Sequence, residues 1–180
     1  MHILLGKYKG KKLLADEAIT KPTTGKTKEA LCSILYGRLK KAKVLDLFCG
    51  SGAVGFELLS SGAGELTGVD KDVRMAIKNA QTIGLTNASF FKNDCLVAIQ
   101  KLAEKNEAFD IIFIDPPYDY AQKDDLLLAI SNFDILAPEG VIVFETAKNT
   151  FFPEKIGQFC FIKEYRYGYS KLTLFEHINK

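Results

Sequence analysis

Residues 43–57 read Lys-Val-Leu-Asp-Leu-Phe-Cys-Gly-Ser-Gly-Ala-Val-Gly-Phe-Glu. Val44 to Phe48 is a short apolar run around Asp46, which predicts a buried strand. Gly50, Gly52 and Gly55 then open a helix predicted over 53–61. Their spacing fits G-x-G-x-x-G, in which glycine lets the backbone approach a ligand closely. Downstream, Glu65-Leu-Thr-Gly-Val-Asp70 reads as the next strand, with an acid at its end. Asp70 lies 18 residues after Gly52, where a carboxylate accepts both hydroxyls of a ribose. The pattern calls for a nucleoside-bearing cofactor. A helix N-terminus suits a pyrophosphate, but Asp46 stands just before the loop. A carboxylate there repels pyrophosphate and attracts the cationic amino-acid end of S-adenosylmethionine, which is therefore preferred to NAD. Asp46 also reads as a strand-end carboxylate capping the glycine loop, and the two roles are compatible.

A second motif narrows the chemistry. Residues 109–118 read Phe-Asp-Ile-Ile-Phe-Ile-Asp-Pro-Pro-Tyr. The apolar run Ile111 to Ile114 predicts a buried strand that delivers Asp115 to its end. Pro116 and Pro117 fix the backbone and remove two N–H donors, so carbonyl acceptors dominate there. The ring of Tyr118 follows at once. Acceptors beside an aromatic face suit a flat molecule presenting an amino group, such as a nucleobase.

Outward from these motifs, strands and helices alternate. Strands are predicted at 43–48, 65–70, 89–93, 109–115 and 140–146, and helices at 53–61, 72–83, 94–105 and 122–132. Such βα alternation implies a parallel sheet covered by helices on both faces. The tail differs: 159–167 and 171–177 are both strand-like, separated by Gly168-Tyr-Ser170, which signals an antiparallel hairpin. The expected fold is α/β and Rossmann-like, a seven-stranded mostly parallel sheet ending in that hairpin, the layout of a class I methyltransferase. Ahead of it, residues 3–14 alternate loosely around Gly6 and Gly10 as a basic hairpin. Thr24 or Thr27 caps a helix reaching about Lys40. One domain is expected over 1–180, with a basic hairpin and helix at 1–42 and a cofactor-binding catalytic core at 43–180.

The 180 residues are 47% hydrophobic, enough for a packed core. No apolar run approaches the roughly 20 residues that span a bilayer. The first residues place their charges after the apolar stretch, the wrong order for a secretory signal. Cys32, Cys49, Cys95 and Cys160 show no C-x-x-C spacing, so reduced cytosolic thiols and no metal site are expected. Cys49 lies in the glycine loop and reads as a small buried side chain rather than a nucleophile. The net charge is only +2, but residues 1–43 hold eleven Lys/Arg against three Asp/Glu. A basic segment on a mildly acidic core points to a polyanionic partner. Lys7, Lys9, Lys11, Lys12, Lys21, Lys26 and Lys28 are the expected phosphate contacts.

Together these residues resemble the small bacterial 16S rRNA guanine-N2 methyltransferases, the RsmD family, over nearly the whole chain. The resemblance rests on Gly6-x-x-x-Gly10-Lys-Lys-Leu13, Lys21-Pro-Thr-Thr24 with Glu29 in the next helix, Leu45 to Gly52, Asp115 to Tyr118, and Tyr167 to Glu176. Lys21, Gly25 and Lys28 depart from the Arg, Asp and Arg usual in that family. The resemblance implies methyl transfer from S-adenosylmethionine to the exocyclic N2 of one guanine in small-subunit rRNA, the family's position 966. The implied partner is rRNA or the assembling small subunit, met by a cytoplasmic monomer without metal or membrane.

The expected catalytic residues are Asp115, Pro116, Pro117 and Tyr118. Asp115 and the Pro116 carbonyl accept the two amine N–H bonds, and Tyr118 stacks on an unpaired or flipped base. The expected cofactor residues are Asp46, Phe48, Gly50, Gly52, Asp70, Lys71, Asp94, Cys95 and Thr24. Asp94 either accepts from the adenine amine or simply caps the helix after it. Thr23 and Thr24 fold over the cofactor by the same resemblance, or serve as turn residues. Glu145 either stands near the pocket or pairs with a lysine. The rivals are a DNA or RNA adenine-N6 or cytosine-N4 methyltransferase, a protein-glutamine methyltransferase, a non-catalytic RNA-binding protein and an NAD-dependent oxidoreductase.

Overall fold

The computed structural model describes residues 1–15 and 24–178. Among these residues eight strands form one sheet: β1 (Lys43–Leu47), β2 (Glu65–Asp70), β3 (Ala88–Lys92), β4 (Phe109–Ile114), β5 (Leu136–Ala147), β6 (Lys155–Ile156), β7 (Phe159–Tyr167) and β8 (Ser170–His177). Their spatial order is β3-β2-β1-β4-β5-β8-β7-β6. The first five strands pair in parallel, and β8, β7 and β6 pair antiparallel at one side. Helices α1 (Gly25–Ile34), α2 (Ala53–Ser60), α3 (Arg74–Ile83), α4 (Cys95–Glu104) and α5 (Lys123–Phe133) complete the fold.

The sheet separates two apolar layers. Val44, Ile111, Phe113, Val141 and Val143 pack with Phe56 of α2 and Leu31 and Leu35 of the α1 region. Leu45, Leu47, Ile112, Ile114 and Phe144 pack on the other face with Ile99 of α4 and Leu126 and Ile130 of α5. Strands apolar on both faces are what a parallel sheet covered by helices demands.

Four expectations about the elements change. The sheet has eight strands rather than seven, because the two-residue β6 adds to the edge of β7. A strand that short carries no readable alternation. β5 starts at Leu136, ahead of Pro138 and Gly140, and a register shift between Phe109 and Ile111 absorbs the irregularity. The basic hairpin reduces to a single antiparallel bridge, His2 with Lys12, around a 3-10 turn at Gly6–Tyr8.

α1 stops at Ile34 rather than near Lys40, and a 3-10 turn over Tyr36–Arg38 carries the chain on. The N-terminal segment is fastened to α2 by one carboxylate. Glu57, 1% exposed, accepts the Leu4 N–H at 2.9 and 3.1 Å and the Leu5 N–H at 2.7 Å. Ile3 and Leu13 join the same apolar layer as α2. The apolar side of the basic segment is thus packed into the core.

Candidate active site

The functional side chains converge at the carboxyl ends of the parallel strands. One step past the paired residues Leu47 with Val69, Leu47 with Ile114, and Ile114 with Phe144, the registers bring Phe48, Asp70, Asp115 and Glu145 level. Asp46 lies one pleat below, opposite Gly68 and Phe113. Side chains alternate along a strand, so Asp46, Asp70, Asp115 and Glu145 share the face covered by α2. Ligands in open α/β sheets bind outside these strand ends.

Asp46 is 2% exposed, and its Oδ2 accepts the Gly55 N–H at 3.1 Å. It therefore braces the start of α2 from beneath. Burial raises its carboxyl to about 8; the Gly55 bond opposes this, while the charges of Asp115 and Asp70 add to it. Gly55 is needed for packing: a Cβ there would come within 2.7 Å of the Leu66 side chain and 3.0 Å of Asp46 Oδ2. Gly50 differs. Its φ is +51°, and a Cβ would meet nothing within 4 Å, so the loop is left-handed there and open on its outer side.

Asp70 Oδ2 accepts the Gly50 N–H at 2.9 Å and Oδ1 accepts the Asp72 N–H at 3.1 Å. These two bonds fix the carboxylate at the end of β2 beside the glycine loop. Asp94 caps α4, its Oδ1 accepting the Leu96 N–H at 3.0 Å. Lys71 Nζ stands 3.7 Å from Asp94 Oδ2. Burial pushes the buried Cys95 thiol up to about 12, against a hydrogen bond with the Phe48 backbone. The Cys49 thiol is also pushed up by burial, so both site cysteines are protonated. Thr24 caps α1, accepting the Thr27 N–H at 3.2 Å.

After β4, Pro116 is buried while Pro117 and Tyr118 are exposed. Tyr118 is 56% exposed and presents its ring to solvent. Tyr120 escaped the sequence reading. Its ring meets the edge of Phe48 at 5.1 Å, and its buried hydroxyl has no hydrogen-bond partner among the described residues. The only signal was a second tyrosine two residues beyond Tyr118. Glu145 is 7% exposed, and its carboxyl is raised to about 7 by burial and then by Asp115. Among the described residues its Oε2 has no hydrogen-bond partner.

The expected nucleic-acid contacts divide. Lys7, Lys9, Lys11, Lys12 and Lys26 are exposed, and Lys21 lies outside the described residues. Lys28 is a correction. It is 1% exposed; its Nζ donates to Glu57 Oε2 at 3.0 Å and to the His2 carbonyl at 3.1 Å. Its charge is used inside the protein because the Glu57 carboxylate buried beside it requires a counterion. Lys7 and Lys9 flank a turn seated on the far end of α2, where Tyr8 N–H bonds Ser60 Oγ at 2.8 Å. That end is roughly 12 Å along the helix from the glycine loop.

Two other concavities lie apart from these carboxylates. One, about 310 Å³, lies between β3 and α4 and is lined by Val69, Phe91 and Lys101 among others. The second, near His177 and Pro138, lies at the opposite end of the strands. Among the described residues no helix is long and apolar enough to cross a membrane.

A parallel sheet with an antiparallel hairpin inserted at its side, a glycine loop after β1 and acids at the next strand ends define a class I methyltransferase. The family described as "Conserved hypothetical protein 95" matches residues 1–176, and the chain belongs to it; this is the RsmD family that the sequence resembled. The chain is 32% identical over 181 residues to the "Putative rRNA methyltransferase YlbH" of Bacillus subtilis, covering 98% of each. It is 31% identical over 150 residues to the "Ribosomal RNA small subunit methyltransferase D" of Escherichia coli, covering 81% of this chain and 74% of that one. The solved "Putative methyltransferase yhhF" of Escherichia coli superposes with a TM-score of 0.85 at 28% identity, covering 98% and 97% of the two chains. These relationships and the fold place the chain among the methyltransferases.

Proposed function

We propose that this protein methylates the exocyclic N2 of a guanine in 16S rRNA, the family's position 966, using S-adenosylmethionine. The observation that carries the reading is the level row Asp70, Phe48, Asp115. It sets a ribose acceptor and an amine acceptor on neighbouring parts of one strand-end edge.

The donor set fits the cofactor. The fixed Asp70 carboxylate has lone pairs left for two vicinal hydroxyls. The open Gly50 bend admits a close backbone approach, and the buried Asp46 braces the start of α2 beneath it. Phe48, Asp94 and the buried Tyr120 hydroxyl surround the place where a purine ring would lie, with Lys71 and Cys95 beside Asp94, while Thr24 caps α1 on the other face of the sheet. S-adenosylmethionine supplies a methyl group activated by its sulfonium.

An aromatic amine is a poor nucleophile, because its lone pair is delocalised into the ring. Asp115 accepts one N–H and the Pro116 carbonyl the other. That pulls the nitrogen toward tetrahedral geometry and aims its lone pair at the methyl carbon. Asp115 would oppose the positive charge growing on nitrogen as the bound sulfonium gave up its methyl group. The proton leaves to Asp115 or to water. Pro117 holds the turn, and the exposed Tyr118 ring stacks on the extruded base. Lys7, Lys9, Lys11, Lys12 and Lys26 meet phosphates around it, and the protein works as a cytoplasmic monomer.

The test is transfer of labelled methyl to 16S rRNA, naked and in small subunits, followed by nucleoside mapping. N2-methylguanosine at one position is expected. Methyl label in adenosine or cytidine would move the assignment to the amino-methyltransferases of those bases.

A further inference from the structure

We propose that Glu145 reads the target base, accepting the N1–H of guanine while Asp115 accepts from the N2 amine. This rests on the proposed transfer to a guanine amine and adds the group that selects the base.

Placement comes first. Ile114 pairs with Phe144, so Asp115 and Glu145 follow level on adjacent parallel strands and share a face. Adjacent strands lie about 4.8 Å apart. Two carboxylates at that spacing can bond neighbouring atoms on one base edge.

Burial comes second. A carboxylate oxygen without a partner in a buried place is costly, and Glu145 Oε2 is in that state among the described residues. Lys171, on the adjacent strand β8, does not serve it: it pairs with Thr146, so its side chain lies on the opposite face, where it bonds Glu164 at 2.5 Å. A hydrogen bond with Ser170 is the favourable contact that lowers the Glu145 carboxyl toward its ionised form. The remaining oxygen therefore lacks a donor, at the edge where the amine must sit.

Base chemistry comes third. In guanine the amine is flanked by N1–H, a donor. In adenine and cytosine the ring nitrogen flanking the Watson–Crick side of the amine is an acceptor. A carboxylate beside Asp115 bonds the first and repels the others. The N1–H also favours the ionised form of Glu145 on binding. Buried polar groups left unpaired by the wrong substrate give strong rejection.

The test uses an rRNA fragment around the mapped guanine, made with guanine or 2-aminopurine at that position. Both bases carry the 2-amino group, but 2-aminopurine has an acceptor at N1. The wild type is expected to prefer guanine by at least ~100-fold in kcat/KM. Glu145→Gln offers an amide donor to N1 and should cut that preference at least ~10-fold, with the thermal midpoint and S-adenosylhomocysteine affinity unchanged. An unchanged preference in Glu145→Gln, or equal losses on both bases, overturns the role of Glu145 and leaves the guanine reading intact. Wild-type transfer to adenine or cytosine instead overturns both. Should Glu145→Gln fail to fold, the wild type decides alone: equal rates on the two bases would mean that nothing reads N1–H.

Discussion

Replacing Lys28 by Met tests whether this lysine is structural. Met is close in length and fills the same space without charge. In the wild type Lys28 Nζ donates to Glu57 Oε2 at 3.0 Å and to the His2 carbonyl at 3.1 Å, with both charged side chains 2% exposed or less. Removing one partner of a buried pair costs about 3–5 kcal/mol, because the other charge stays buried. Glu57 keeps its bonds from the Leu4 and Leu5 amides, so the low end applies. A loss of about 3 kcal/mol lowers Tm by roughly 6–12 °C in a domain of this size.

Urea unfolding monitored by circular dichroism measures the loss. Glu57→Gln in the same background should cost less than the sum of the two single changes, since no buried charge then remains. Hydrogen exchange at the Leu4 and Leu5 amides should quicken in Lys28→Met, because the segment is anchored through Glu57. The salt dependence of RNA binding, measured below the lowered midpoint, should not change. Wild-type stability together with a shallower salt slope would refute the reasoning, since it would put Lys28 on the surface against phosphate.

Other expectations follow from the same geometry. Asp70→Ala should weaken S-adenosylhomocysteine by about 1–3 kcal/mol in calorimetry, as lost charge-assisted bonds do; unchanged affinity would remove Asp70 from the cofactor site. Asp115→Ala should cut turnover at least ~100-fold with cofactor affinity retained. Asp115→Asn keeps an acceptor and loses the charge, so activity well above Ala would mean that orientation outweighs charge. Neutralising Lys7, Lys9, Lys11 and Lys12 together should reduce the salt slope of RNA binding by about 3, and an unaltered slope would leave them as solvated charges. Asp46 titrates near 8 in the folded protein against 3.8 as its ordinary value, so the folded state holds the extra proton between those limits. Its contribution makes stability fall as pH rises from about 4 to about 8. Asp46→Asn should flatten that fall, and an identical pH profile in chemical denaturation would contradict the burial of its charge.

Features encoded locally were legible in the sequence, and those that depend on distant partners were not. The glycine loop, the acid ending β2 and the Asp-Pro-Pro-Tyr turn after β4 each declare themselves within ten residues, because strand, bend and helix start are local choices. The apolar runs gave the parallel strands within a few residues of their observed limits. Pro138 and Gly140 hid the start of β5, since a bulge that accommodates them is defined only by the partner strand. The same holds more strongly for charge. Lys28 and Lys26 stand two residues apart on one helix, and composition treats them alike; only Glu57, on a different helix, makes one a buried counterion and leaves the other in water. Glu145 belongs with Lys28. Inside an apolar strand it read as either a pocket residue or half of an ion pair. The choice turns on whether a cation reaches it, and Lys171 of the adjacent strand lies on the other face, committed to Glu164. Among the described residues the buried Glu57 is thus neutralised by a lysine, while Glu145, beside Asp115, keeps an unfilled acceptor. An acceptor left unfilled at the carboxyl edge of the sheet is best filled by the donor that the target base brings.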